Sequence, residues 1–239
     1  MTPALEVLGR QPNVSVAVVA ETSFDQLFTH HPAVDQVLTI GRKASWPEKF
    51  RLGRQIRAFK PDAVVDLHGG STSALLTAFS GAAHRVGYES SRYHRFYNRR
   101  IPDTRTVWGK PKLHTVEHQL APLKYLGFPV PRVPKPRIYF SDSDRVRVRT
   151  ELQQLKVDPG FVLIHPAAAF TTKQWPTQSF AALARHLARD RQVVVTAGPG
   201  EESLCVEVAG SSGPNPCIIR PQPLGRFSAL VLSLIHISE

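Results

Sequence analysis

Residues 161–209 read FVLIHPAAAFTTKQWPTQSFAALARHLARDRQVVVTAGPGEESLCVEVA, and this stretch decides the fold. Val162-Leu163-Ile164 is a short apolar run that stops at His165-Pro166, as a buried strand does. A polar loop carrying Thr171, Thr172 and Lys173 follows, and Pro176 suits the first turn of a helix, where a fixed φ and a missing N–H do no harm. Phe180, Leu183, Ala184 and Leu187 then recur at i, i+3, i+4 and i+7, the apolar stripe of a helix on a sheet. Val193-Val194-Val195 is a second buried strand, Gly198-Pro199-Gly200 a turn, and Glu201 opens another helix. Two strand–loop–helix units in succession make a parallel α/β arrangement, which binds ligands beyond the carboxyl ends of its strands. The loops carrying Lys173 and Glu201 both belong to that edge.

Working outward, the same alternation runs through the first half. Strands are expected at Val14–Ala20, Val37–Ile40, Ala63–Leu67 and Arg85–Gly87. Helices are expected at Thr2–Gly9, Phe24–Phe28, Trp46–Phe59 and Ser71–Phe79, giving a doubly wound parallel sheet. A helix rather than a strand comes first, so an element is expected upstream of Met1. Residues 127–136 read GFPVPRVPKP, with four prolines in ten residues, a semi-rigid linker between domains. The expected division is 1–127, a linker at 128–137, and 138–239. After the linker, Ser141 with Asp144 resembles a capping box opening a basic helix that runs to about Leu155. Residues 217–219 make a third strand, whereas residues 228–237, SALVLSLIHI, lack a clean helical period.

At 239 residues with 42% hydrophobic content, the chain has material for one large domain or two ordinary ones. It has no apolar run of membrane-spanning length and no leader-like segment, so cytosol is the expected compartment. Cys205 and Cys217 fit a reducing environment without zinc-type spacing, and Cys205, beside Leu204 and Val208, reads as a small core residue. The formal net charge of +11 favours an anionic partner: a phosphorylated metabolite, a lipid surface or nucleic acid.

Three motifs carry candidate chemistry. Asp66-Leu67-His68-Gly69-Gly70 falls at a strand's carboxyl end, where His68 either contacts a ligand or sits in a plain tight turn. Between Arg85 and Arg105 the chain is basic and aromatic, with Arg92, Arg95, Arg99 and Arg100 interleaved with Tyr93, Phe96 and Tyr97. Guanidinium groups pair bidentately with phosphate or carboxylate, so this run reads either as an anion site or as a solvated charged loop. His114-Thr115-Val116-Glu117-His118 spells H-x-x-E-H, an inverted zinc-protease pattern without an evident third ligand; its leucines at 120, 123 and 126 describe a sheet-covering helix instead.

The combination HPAAAFTTKQWP, SFAALARHLA and VVVTAGPGEE, together with TPALEVLG, HPAVDQV, PDAVVDLHG and HRVGY, resembles glycosyltransferase family 9, the bacterial lipopolysaccharide heptosyltransferases. His165, Pro166, Lys173, Trp175, Pro176, Phe180, Leu183 and Ala184 match the family's first segment, and Gly198, Pro199 and Glu201 its second. Ala167 and Ala197 stand where the family has glycine. The resemblance implies a GT-B architecture of two Rossmann-like parallel-sheet domains with the active site in the cleft between them. It implies ADP-heptose as donor, an anionic Kdo–lipid A core as acceptor at the cytoplasmic face of the inner membrane, and inverting transfer with no resident cofactor and no metal. Lys173 takes the position of the lysine that neutralises the donor diphosphate, a cation facing the charge that develops on the leaving group. Glu201 takes that of the glutamate on the donor hydroxyls, with Thr171 and Thr172 as further donor candidates. Arg92, Arg95, Arg99 and His68 are the acceptor candidates. The family's base is an aspartate in an L-G-D loop, expected upstream of Met1, and its donor-closing D-S/T-G segment is expected beyond Glu239. The terminal SLIHISE is then expected to be a non-native run-on, and the chain an inactive internal fragment. The rival readings are a GT-B enzyme with another nucleotide sugar, and a basic nucleic-acid-binding module around Arg92–Arg105.

Overall fold

The structure, a computed structural model, describes residues 1–168, 170–210 and 216–234, and it divides into two compact units, Met1–Tyr139 and Phe140–Glu239. The chain is α/β with parallel strands throughout.

In the second unit, α7 (Asp142–Gln154) precedes β6 (Val162–Ile164), α8 (Thr177–Leu187), β7 (Val193–Thr196), α9 (Glu202–Gly210), β8 (Pro216–Ile219) and α10 (Leu224–Leu234). The strands pair in the order β6-β7-β8. Side chains alternate across a strand, so the all-apolar run of β7 covers both faces of the sheet. Val193 and Val195 pack with Ala184 of α8 and with Cys205 and Val208 of α9. Val194 points the other way, to Val148 of α7 and to Ala229 and Leu230 of α10. All three valines are fully buried, each contributing roughly 1.5–3 kcal/mol by apolar burial. Cys205 is accordingly a core residue, and burial pushes its thiol pKa up.

Two details differ from the sequence reading. The stripe of α8 is rotated: Ala181 and Ala184 are its buried residues and Leu183 is exposed, because the two small side chains let the helix back onto the sheet. Residues 224–234 are helical, with Ser228, Ala229 and Leu230 inward. The weak period there reflects apolar residues on the outer side too, Leu232 among them. Residues 235–239, most of the SLIHISE segment, lie outside the described residues. The Ser141–Asp144 capping box forms in both directions, the Asp144 N–H donating to Ser141 Oγ at 3.0 Å and the Ser141 N–H to Asp144 Oδ2 at 3.3 Å.

The first unit runs α1 (Thr2–Leu8), β1 (Ala17–Glu21), α2 (Gln26–Thr29), β2 (Gln36–Ile40), α3 (Trp46–Ala58), β3 (Ala63–Val65), α4 (Ser71–Phe79), β4 (His84–Tyr88), β5 (Arg99–Ile101), α5 (Thr104–Trp108) and α6 (Thr115–Tyr125). Its strands form two parallel ladders, β1-β2 and β3-β4-β5. β5 and α5 are elements that sequence reading missed. Arg99 and Arg100 are exposed and only Ile101, 1% exposed, turns inward, so no apolar run announces the strand. Part of the proline-rich segment is also packed, since Phe128 and Val130 lie against Ala4, Val7, Leu120 and Leu123.

Pro122 interrupts the hydrogen-bond ladder of α6, because it has no N–H for the His118 carbonyl one turn earlier. That carbonyl accepts from the Tyr88 hydroxyl at 3.2 Å, which fastens α6 to the end of β4.

A buried histidine gives the first unit a pH dependence. His31 is 3% exposed, and its Nδ1 accepts from the Ala33 N–H at 3.2 Å, leaving the proton on Nε2, 3.5 Å from Glu6 Oε1. Glu6 Oε1 accepts from the Tyr139 hydroxyl at 2.9 Å. Burial lowers the His31 pKa from its ordinary 6.5, with Glu6 opposing. A histidine whose folded pKa is depressed contributes stability that is present above the unfolded pKa and lost as pH falls below it. Thermal unfolding measured from roughly pH 7.5 down to 5.5 should therefore show a falling midpoint, and His31→Gln should flatten that slope.

Candidate functional site

In the second unit the candidate residues sit at the carboxyl edge of two adjacent strands. Ile164, the last residue of β6, is register partner to Val195 of β7, so the loops after these strands leave the sheet side by side. The first loop folds into a 3-10 turn, Thr171–Lys173, closed by the Lys173 N–H donating to the Phe170 carbonyl at 2.9 Å. Lys173 is exposed, with Nζ 5.4 Å from the centroid of the Phe170 ring. Trp175 closes the loop by standing edge-on against Phe180 at 5.3 Å. Thr172 is exposed, and the side chain of Thr171 lies outside what is described. His165 is exposed, with its ring 5.8 Å from Phe227.

The second loop is shaped by Glu201. Its Oε2 accepts from the Gly198 N–H at 3.0 Å, while its own N–H donates to the Gly198 carbonyl at 3.1 Å. A Cβ on residue 198 would lie 2.9 Å from that oxygen, so glycine is needed for the carboxylate to fold back. Glu202 is exposed, and the N–H groups of Glu202 and Gly200 hold its carboxyl below its usual range. The G-P-G-E-E segment thus satisfies its own amides with its own carboxylates. Glu201 is half-buried, fixed on one side by Gly198.

In the first unit the organising residue is Asp66, which sequence reading passed over in favour of His68. Asp66 follows β3 and is 4% exposed. Its Oδ1 accepts from the N–H of His68 at 2.9 Å and of Gly69 at 2.8 Å, an Asx-type turn, and its Oδ2 accepts from the Tyr97 hydroxyl at 2.7 Å. Gly69 has φ +70, a conformation side chains rarely adopt, and a Cβ at Gly70 would lie 2.7 Å from the His68 ring. His68 itself is exposed above that turn. Tyr97 is 2% exposed; burial and the hydrogen bond to Asp66 push its phenol pKa far above the usual range. The ring fills the space over Gly87, where any Cβ would come within 2.4 Å of it.

Tyr97 and Ser91 together tie the arginine-rich loop to this turn. Ser91 Oγ donates to the Gly69 carbonyl at 3.3 Å, which sets Arg92 beside the turn of His68. Arg95 lies in a 3-10 turn, His94–Phe96, farther along. Arg99, the first residue of β5, is register partner to Val86 of β4 and follows Asn98, whose side chain accepts from the Arg85 N–H and donates to the Ala83 carbonyl. The structure therefore brings Arg92 and His68 to one edge and leaves Arg99 level with the middle of β4. Arg92, Arg95 and Arg99 are all exposed.

The H-x-x-E-H residues have structural partners. His114 is the N-cap of α6, its Nδ1 accepting from the Val116 N–H at 3.2 Å. Glu117 accepts from the His114 N–H at 2.8 Å and from Lys110 Nζ at 2.7 Å, and His118 Nδ1 bonds Thr104 Oγ1. A capping histidine does not share the helix face that a metal pair requires. Among the described residues there is no group of three His, Cys, Asp or Glu side chains placed to hold a metal, and no helix long and apolar enough to cross a membrane.

Known proteins share the sequence pattern and the fold of this chain. The chain is 27% identical over 216 residues to lipopolysaccharide heptosyltransferase 3 of Escherichia coli, covering 86% of this chain and 62% of that protein. It spans 62% of the length of the curated relatives it matches. Among solved structures it superposes on a glycosyltransferase family 9 protein from Veillonella parvula DSM 2008 with a TM-score of 0.85 at 20% identity, covering 97% of this chain and 69% of that one. It also superposes on the E. coli heptosyltransferase WaaC with ADP-2-deoxy-2-fluoro heptose, with a TM-score of 0.70 at 23% identity, covering 97% and 75%. These likenesses give the fold as GT-B, and the family model matches residues 49–218, reaching across both units. On that match the chain belongs to glycosyltransferase family 9 (heptosyltransferase).

Proposed function

We propose that this chain carries the donor half-site, and part of the acceptor face, of an enzyme that moves heptose from ADP-heptose to the Kdo–heptose inner core of lipopolysaccharide. The observation that carries the reading is the pairing of Ile164 with Val195, which sets the Lys173 and Glu201 loops next to each other on a family 9 sheet. Lys173 faces the diphosphate and offsets charge as the nucleoside diphosphate departs. Glu201, braced by Gly198, offers carboxylate oxygen to donor hydroxyls, and Thr171 and Thr172 line the same loop. His68 and Arg92 receive the anionic acceptor together, with Arg95 farther along the same loop, while Arg99 stands apart on β5. Transfer inverts the anomeric centre without a metal or a resident cofactor. The protein works in the cytoplasm, in peripheral contact with the inner membrane, and does not bind nucleic acid.

Titration calorimetry with ADP-heptose, ADP, ADP-glucose and UDP-glucose tests the donor. ADP-heptose and ADP should bind, unaffected by chelator, and the uridine sugar should bind at least tenfold more weakly. Equal binding of UDP-glucose would move the chain to a GT-B enzyme with another donor. Because the chain spans 62% of its relatives' length, the 239-residue polypeptide alone should transfer no detectable heptose. Measurable product from it would overturn that part of the reading.

A further inference from the structure

The largest exposed aromatic groups of the first unit gather on one side of α3. Trp46 is 71% exposed and Phe50 67%, one turn apart on the helix. Phe79 at the end of α4 is 54% exposed, and its Cβ lies 3.7 Å from where a Cβ on Gly53 would be, next along the same side. At about 100° per residue, Trp46, Arg57, Phe50, Arg54 and Arg51 follow one another around roughly 140° of the helix. All five are exposed, and no carboxylate falls within that arc. Leu52 and Ile56 occupy the opposite side and bury against Leu38 and Leu76. The acid nearest the arc, Glu48, is turned to the helix start, where its Oε2 accepts from the Ser45 N–H at 2.6 Å and the Ser45 hydroxyl at 2.7 Å. Lys49 reaches back over the Trp46 ring, Nζ 5.1 Å from the centroid, and Arg42 and Lys43 precede it, both exposed.

A contiguous group of exposed rings rimmed by charged residues marks an interaction surface. Rings flanked by arginine and lysine on a helix lying along the surface of a domain have the composition of an interfacial element. The rings enter the boundary between headgroups and acyl chains while the cations meet anionic headgroups. We propose that this face of α3, with Phe79 beside it, docks onto an anionic lipid bilayer. Charge selects the occupant: a net +11 chain with six cations around three exposed rings and the adjacent acid folded away complements a negative surface. The docking face deepens the membrane contact proposed above and to that extent rests on it. The vesicle assay below needs neither donor nor acceptor, so failure of the transferase reading leaves it standing.

Co-sedimentation of the full 239-residue chain with vesicles tests the face. Vesicles of phosphatidylglycerol and phosphatidylcholine in equal parts should bind the chain, and phosphatidylcholine alone should bind it at least tenfold more weakly. Trp46→Ser with Phe50→Ser should lower partition into the mixed vesicles about tenfold, because both side chains leave the interface. Arg51→Glu with Arg54→Glu should do the same through charge. All four residues are exposed, so circular dichroism and ADP binding should stay at parent values. Quenching by lipids brominated in their chains should be lost in Trp46→Phe, which retains Trp108 and Trp175. The proposal is overturned if either double variant partitions like the parent, if neutral vesicles bind equally well, or if no vesicle binds. It is also overturned if a random DNA duplex, and not lipid, is held by these residues.

Discussion

Asp66→Ala should destabilise the first unit by about 3–5 kcal/mol. The substitution strands two backbone N–H groups, those of His68 and Gly69, and the Tyr97 hydroxyl, all of which now donate to one buried carboxylate. A buried donor left without a partner costs roughly 1–3 kcal/mol, and bonds to a charged acceptor lie at the strong end of that range. Tyr97→Phe removes only one donor and is expected to cost about 1.5–2 kcal/mol, which separates the phenol's share from the turn's. Amide hydrogen exchange reads this unit by unit. Protection in β3 and β4 should fall while protection in β7 stays at the parent level. Unchanged exchange at Val64 and Val86 in Asp66→Ala would mean that the turn holds its shape without the carboxylate.

The second large effect falls on binding. Lys173→Ala should raise the dissociation constant for ADP about 10–100-fold, the ordinary worth of one charge-assisted contact to phosphate. The lysine is exposed and the only described contact of its side chain is the Phe170 ring, so the melting temperature should not move. Lys173→Arg should recover part of the affinity, and added salt should narrow the gap between parent and alanine variant. An alanine variant that binds ADP like the parent would remove Lys173 from the donor site.

Much of the architecture was legible from sequence because buried parallel strands write themselves as unbroken apolar runs. Val193–Val195 could hardly be anything else, and the Ser141–Asp144 cap announced the helix that follows it. β5 was hidden because two of its three residues are exposed arginines, so a ladder position looked like a charged loop. Asp66 was hidden for a different reason. An acid before L-H-G-G advertises a turn, but its second oxygen is taken by Tyr97, 31 residues away, and such a partner has no local signature. The same long-range bond explains why Tyr97, although interleaved with arginines in a charged run, is among the most deeply buried side chains of the unit. Of the candidate site, Lys173 and Glu201 were readable through loop position. That Arg92 and Arg99 would part company was not, because the crossover from β4 to β5 carries them to different heights on the sheet.

The bond between Tyr88 and the His118 carbonyl makes two distant positions interdependent. With Pro122 present, Tyr88→Phe leaves that carbonyl without its donor; with alanine at 122, a main-chain N–H takes over and the hydroxyl becomes redundant. A double-mutant cycle on Tyr88→Phe and Pro122→Ala should therefore return a coupling of about 1 kcal/mol, with the tyrosine substitution far milder in the alanine background. The order in which the two changes arise would then decide whether a lineage meets a loss of stability on the way. Proline at 122 and tyrosine at 88 thus act as a pair, the hydroxyl mattering only while residue 122 lacks an N–H.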